Sequence, residues 1–214
     1  MRIGKAVLGL SAALLLVLGG SARGTTLADL AGGQSLTVGG LTLSDFTVTV
    51  DGSVNPNLAD YKVLSLSDGF RIAGGFAAVD AEQGDMLLSY KVSAGTSNPV
   101  EDIRLAFNGM AAGSHSGANV METLSANGSS LGSASVFAVA GGMNQLVSTA
   151  NFPPLMSGDT FTVDKDILVK AGDGGMATIS FIDQEFSVVP EPGSLVLLGC
   201  GLAGLFTFGR RRGA

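Results

Sequence analysis

From Leu41 onward the apolar residues of this chain recur at every second position. In LTLSDFTVTV, Leu41 and Leu43 share one parity and Phe46, Val48 and Val50 the other, with Asp45 at the break. A one-residue change of parity inside a strand is what a β-bulge produces. In DMLLSYKVS, Met86, Leu88, Tyr90 and Val92 fall on one face, with Ser89 and Lys91 opposite. DIRLAFNG sets Ile103, Leu105 and Phe107 against Arg104 and Ala106, and SLGSASVFAVAG, DTFTVDKDILVKAG and MATISFIDQEFSVV continue the alternation. A period of two predicts half-buried strands.

The pairs Asp51-Gly52, Asp68-Gly69, Asn108-Gly109, Asn127-Gly128 and Asp173-Gly174 separate or flank these runs. Asn and Asp tolerate a left-handed backbone and glycine favours it, so each pair predicts a tight reversal. Ala94–Asp102 and Asn151–Asp159, rich in Pro, Ser and Asn, read as long loops, and Asp164–Asp166 and Ala81–Asp85 as solvated turns. TTLADLAGG predicts one short helix, capped by Thr25 or Thr26 and stopped at Gly32. Strands every ten residues or so, with no strong helical stripe, predict an all-β fold: an antiparallel β-sandwich of jelly-roll or immunoglobulin-like type, over residues 25–188.

Both ends abandon the alternation. Residues 1–24 place Arg2 and Lys5 before an apolar run, Ala6–Leu18, and then small residues. That is the build of a secretory signal peptide, with Ala22 and Gly24 in the peptidase pocket and cleavage before Thr25, or alternatively after Ala22. An uncleaved anchor fits less well, because the run is shorter than the ~20 residues of a comfortable span. At the other end Gly193–Gly209 carries no charge, and as a helix would reach about 25 Å, close to a hydrocarbon core of about 30 Å. Arg210, Arg211 and Arg212 would snorkel and hold the span with its N-terminal end outside. Pro190, Glu191 and Pro192 then stand at the outer boundary as an extended, charged tripeptide suited to a peptidase cleft. A plain proline stop to the helix is the alternative.

Charge sharpens this division. The body holds six bases against seventeen acids, a net charge of −11, and the other six Lys and Arg lie at the two ends. Phosphate backbones would repel such a body, which excludes nucleic acid as a partner. The one cysteine, Cys200, lies in the terminal apolar run, so the body is held without disulfides.

Few residues suggest chemistry. His115 in GSHSG, beside Ser114 and Ser116, is the one histidine, but sequence neighbours rarely converge as nucleophile and base, and the spacing misses the G-x-S-x-G elbow. One histidine and no body thiol leave zinc without its usual ligands. Asp51, Ser53, Asn55, Asn57 and Asp60 imitate a calcium loop, yet Pro56 replaces the turn glycine and Lys62 stands where the glutamate belongs. Glu101 and Asp102 are a carboxylate pair, but adjacent strand positions face opposite ways. Asn127 opens an Asn-Gly-Ser glycosylation triplet. Gly199–Gly204 spells a dinucleotide fingerprint without the strand–turn–helix it needs, and Leu197–Cys200 a lipoprotein box at the wrong end. No cofactor is expected.

Pro190-Glu191-Pro192, the span 193–209 and the arginines 210–212 resemble the PEP-CTERM sorting signal of exported bacterial proteins, here over residues 189–214. The body is similar to one PEP-CTERM subfamily through TTLADL, LTLSDF, VMETLSANGSSLGSASVFAVAGG and VDKDILVKAGDGGMATISFIDQEFS. The resemblance implies a Gram-negative host that makes biofilm or exopolysaccharide, and an integral-membrane exosortase as the partner that reads Pro190, Glu191 and Pro192. Catalysis then belongs to the exosortase.

The leading expectation is thus a non-enzymatic protein, exported through signal peptidase and the Sec translocon. It would be held transiently in the inner membrane and delivered to the cell surface or extracellular matrix. The alternative is a carbohydrate (exopolysaccharide)-binding or adhesive module, with polar loops such as Ala111–Asn119 and an aromatic supply of Tyr61, Tyr90 and a few Phe. A hydrolase using Glu101 and Asp102 is a third reading.

Overall fold

The computed structural model describes residues 24–94, 99–155 and 158–188. They form β1 (Thr25–Thr26), α1 (Leu27–Ala31), β2 (Leu36–Val38), β3 (Leu41–Gly52), β4 (Lys62–Ser65), β5 (Gly69–Val79) and β6 (Gln83–Ser93). Then come β7 (Val100–Ala112), β8 (Gly117–Ala126), β9 (Ser129–Val139), β10 (Val147–Leu155), β11 (Thr160–Lys170) and β12 (Met176–Val188), with a 3-10 turn at Leu58–Asp60.

Two six-stranded antiparallel sheets face each other, in the orders β1-β4-β5-β12-β7-β10 and β2-β3-β6-β11-β8-β9. From β5 on, successive strands change sheet at every connection except β8–β9. Counted from β5, the central eight stand first-eighth-third-sixth over second-seventh-fourth-fifth. Of the two sandwich types expected, this order is the jelly roll. β11 and β12, the last strands of the body, occupy the middle of the two sheets.

The alternation read from the sequence is the alternation of burial. On β6, Met86, Leu88, Tyr90 and Val92 are buried, and on β7 so are Ile103, Leu105 and Phe107. Asp45 takes φ 54° where the β3–β6 register slips between Ser44 and Thr47, so the parity break is a bulge. α1 forms where expected. The Thr26 hydroxyl accepts a hydrogen bond from the Asp29 N–H, and the Asp29 carboxylate accepts one from the Thr26 N–H, a capping box that lays Leu27 and Leu30 into the core.

Several loops and turns resolve differently. Asn127-Gly128, with both φ positive, closes the β8–β9 hairpin as expected. Asn108-Gly109 does not turn; it lies inside β7, opposite the β12 bulge between Ile179 and Phe181. A Cβ on Gly109 would meet the Phe107 ring at 2.3 Å, so this glycine makes room for an aromatic side chain. β7 begins at Val100 and β10 runs to Leu155, which shortens both predicted loops. Pro153 and Pro154 fit in β10 because it is a sheet edge and its pairing with β7 is interrupted between Asn151 and Leu155, so their missing N–H groups break no ladder. Asp164–Asp166, expected as a solvated turn, is the middle of β11, with Lys165 buried. Gln83–Asp85 likewise opens β6.

Candidate functional site

The predicted sorting residues Pro190, Glu191 and Pro192, the arginines 210–212 and the peptidase position Ala22 lie outside the described residues; Gly24 is exposed ahead of β1. The remaining candidates can be placed. His115 is exposed with φ 60°, whereas Ser116 is buried and its hydroxyl accepts the Gly172 N–H at 3.0 Å. That hydroxyl ties the β7–β8 connection to the β11–β12 connection. The calcium-like loop is laced to itself: Asn55 and Asn57 both donate to one oxygen of Asp60, and Lys62 donates to the Ala59 carbonyl. Among the described residues, no group of three or more His, Cys, Asp or Glu is arranged to hold a metal ion. Glu101 is exposed and Asp102 half-buried.

Tyr61 and Tyr90 are both buried at 1% exposure, so neither offers a surface platform. The Tyr61 hydroxyl donates to the Asn55 carbonyl at 2.9 Å, and burial with the neighbouring Asp60 pushes its pKa up to about 12. The open face is instead the outer side of the second sheet. There Phe137, Asn119 and Leu168 form one cross-strand row, and Ser135, Met121, Asp166 and Leu87 the next. Met121 and Leu87 are about half exposed and Phe137 half-buried. A groove of about 510 Å³ runs past His115, Asn119, Met121, Phe137 and Lys170, beside a depression of about 340 Å³ bordered by Thr49, Leu87 and Asp164. Asp85 sits in the same face; burial, then Asp166, raise its pKa. The outer side of the first sheet carries ion pairs: Arg71 grips Asp183 at 2.6 and 2.8 Å and covers the Phe181 ring, and Arg104 holds Glu185 at 2.7 Å.

The most unusual chemistry is inside. Glu122 on β8 and Lys165 on β11 are cross-strand partners, and both point inward, where every neighbour on their strands is apolar. Across the interior stands Gln184 of β12. The Lys165 ammonium donates to Glu122 Oε2 and to Gln184 Oε1, and the Tyr90 hydroxyl donates to Gln184 Oε1 at 3.4 Å. All four residues are at most 2% exposed. Phe46 stacks on Tyr90 and Phe70 meets it edge-on, with ring centroids at 5.1 and 5.6 Å. Burial lowers the Lys165 pKa against the opposing pull of Glu122, and burial then Glu122 raise that of Tyr90. Glu122 Oε1 and Gln184 Nε2 are buried without a partner. The sequence carried a signal for this cluster. Glu122, Lys165 and Gln184 occupy the apolar parity of VMETL, FTVDKDILV and IDQEF, where a charge or amide must be paired inside.

Comparison with known proteins places the family-model match at one end of the chain. No curated protein matches. Among solved structures, similarity extends to TmCBM61 in complex with beta-1,4-galactotriose (15% identity over 67% of this chain and 88% of that one, TM-score 0.32). It extends also to CsCBM6-3 from Clostridium stercorarium in complex with cellobiose (14%, 65% and 92%, TM-score 0.23). The tailspike protein 4 enzymatically active domain of bacteriophage CBA120 matches at 15% over 69% of this chain and 19% of that one, TM-score 0.27. Residues 188–212 match the family model of the PEP-CTERM protein-sorting motif, beginning at the residue where β12 ends. Directly behind the central strand of its first sheet, then, this jelly-roll protein carries the PEP-CTERM signal, which supports sorting by an exosortase and membrane-associated processing after export.

Proposed function

We propose that the chain is a non-catalytic surface or extracellular-matrix protein whose tail is recognised at Pro190-Glu191-Pro192 and cut by an exosortase, releasing the jelly-roll body. The observation that carries this reading is the sorting motif over residues 188–212. In it the span 193–209 holds the chain transiently in the inner membrane, the arginines 210–212 fix its orientation, and signal peptidase acts at Ala22 and Gly24. The body supports a structural or interaction role, since its one histidine is exposed while the adjacent Ser116 is engaged with Gly172. Replacing Pro190, Glu191 and Pro192 with alanine in the native host should leave the protein in the inner membrane with an intact tail, read by fractionation and mass spectrometry. Normal maturation and release of that variant would overturn the reading.

The groove on the second sheet favours one further role, binding of exopolysaccharide. Phe137 offers a partly exposed ring among Asn119, Ser135 and Lys170, an apolar surface bordered by hydrogen-bonding groups. Phe137→Ala should abolish retention on the host's exopolysaccharide in a pull-down without changing the unfolding free energy by more than about 1 kcal/mol. Unchanged retention removes the groove from this role.

A further inference from the structure

A buried ion pair returns less than it appears to, because both charges leave water, and here two polar atoms also remain unpartnered. The arrangement has a second feature that an ion pair does not need. The Lys165 nitrogen touches the side-chain amide of Gln184 and the carboxyl of Glu122 at once. Amine, amide and proton carrier are thus held together between β8, β11 and β12, away from water and beside Tyr90, on which Phe46 and Phe70 pack.

We propose that Lys165 and Gln184 join covalently, the Lys165 Nζ displacing the side-chain nitrogen of Gln184 as ammonia, with Glu122 carrying the proton. The balance is closed within the cluster. In the apolar interior the proton shared by the pair moves from the ammonium to the Glu122 carboxylate, leaving a neutral amine and a carboxylic acid. The amine lone pair attacks Gln184 Cδ, the carbon next to the oxygen that Lys165 already touches. A new N–C bond forms, and Glu122 gives its proton to the departing amide nitrogen. That C–N bond breaks, and Glu122 takes back one proton from the new secondary amide. One amide replaces another and one ammonia leaves; no oxidant, reductant or metal takes part.

The surroundings favour each step. Burial, which lowers the lysine pKa, favours the nucleophilic form. Fixed contact between the reacting groups replaces a bimolecular encounter, and exclusion of water protects the product. The reaction also lowers the cost of the cluster, because the unpartnered Gln184 Nε2 departs and the buried charges vanish. The product is a single covalent tie between β11 and β12 across the sandwich, in a body that has no cysteine. It forms once per molecule, so the proposal is independent of sorting and of any ligand.

Tryptic mapping of the folded full-length chain tests it. The expected result is a branched product joining the Lys165 and Gln184 peptides, lighter than their sum by one ammonia, with Lys165 resistant to trypsin. Recovery of cleavable Lys165 and unmodified Gln184 from the folded chain would overturn the proposal. Lys165→Arg keeps a positive partner for Glu122 but supplies no neutral amine, and should yield unlinked peptides only. Glu122→Gln should slow linking about a hundredfold, the scale of lost acid–base assistance; linking at the native rate would remove Glu122 from the mechanism. Should either variant fail to fold, the map of the native chain still decides.

Discussion

A single methyl group distinguishes two glycines of β5. At Gly69 an added Cβ would lie 1.8 Å from the main-chain oxygen of Gln184, which cannot rotate away, whereas Gly75 faces open space. Gly69→Ala should lower stability by about 1–3 kcal/mol in urea unfolding, the range of forced overpacking. Gly75→Ala should raise it by roughly 0.5–1 kcal/mol, through a less flexible unfolded chain. Acidity gives a second test at this scale. The Asp85 carboxyl is raised above its ordinary 3.8 by burial first and by Asp166 second. Its contribution to stability is therefore complete below 3.8 and lost as pH rises through the higher folded value. Asp85→Asn should flatten the decline in unfolding midpoint over that interval, measured by urea titrations at a series of pH values. Residue parity made the core legible, from Met86 to Val92 and from Ile103 to Phe107. The same parity marked Lys165, but the flanking Asp164 and Asp166 suggested solvent, since composition weighs polar neighbours without asking which way each one points.

Among the elements, those set by local chemistry were readable and those set by distant partners were not. The helix α1 and the Asn127-Gly128 hairpin depend on a few adjacent residues, and both stand where the sequence put them. Asn108-Gly109 carries the same letters as a turn, yet the Phe107 ring over Gly109 and the bulge of β12 opposite keep the strand straight. Neither is visible in a window of ten residues. The prolines of Asn151–Asp159 suggested a loop, and an edge position with interrupted pairing to β7 is what lets a strand contain them. Thr26→Ala, which removes half of the capping box, should cost about 1 kcal/mol, seen as a lower urea midpoint with an unchanged slope. The groove on the second sheet was not legible at all, because it is assembled from residues of β8, β9 and β11 that only the sheet order brings together.

Over the body as a whole, residues 25–188, an excess of eleven negative charges works against compactness. The basic residues counter it locally. Arg71, Lys91, Arg104 and Lys165 each hold a carboxylate, but the remaining acids repel through solvent. Added salt shortens the reach of that repulsion from about 10 Å at 0.1 M to about 3 Å at 1 M. The thermal midpoint should accordingly rise with sodium chloride, most steeply at low concentration, in a calorimetric series at neutral pH. A midpoint that falls with salt would show that the ion pairs outweigh the repulsion.

Tension is handled unequally by the two ends of the jelly roll. A tug arriving through the tail enters at Val188, the end of β12, which is braced along nearly its full length by β5 on one side and β7 on the other. Pulled along its own axis, that strand must slide past both neighbours, breaking many backbone bonds together. The opposite end begins at β1, two residues on the rim of the same sheet, which can peel away one bond at a time. The body is thus stiff against a pull that arrives through its C-terminal strand, and it frays first at β1.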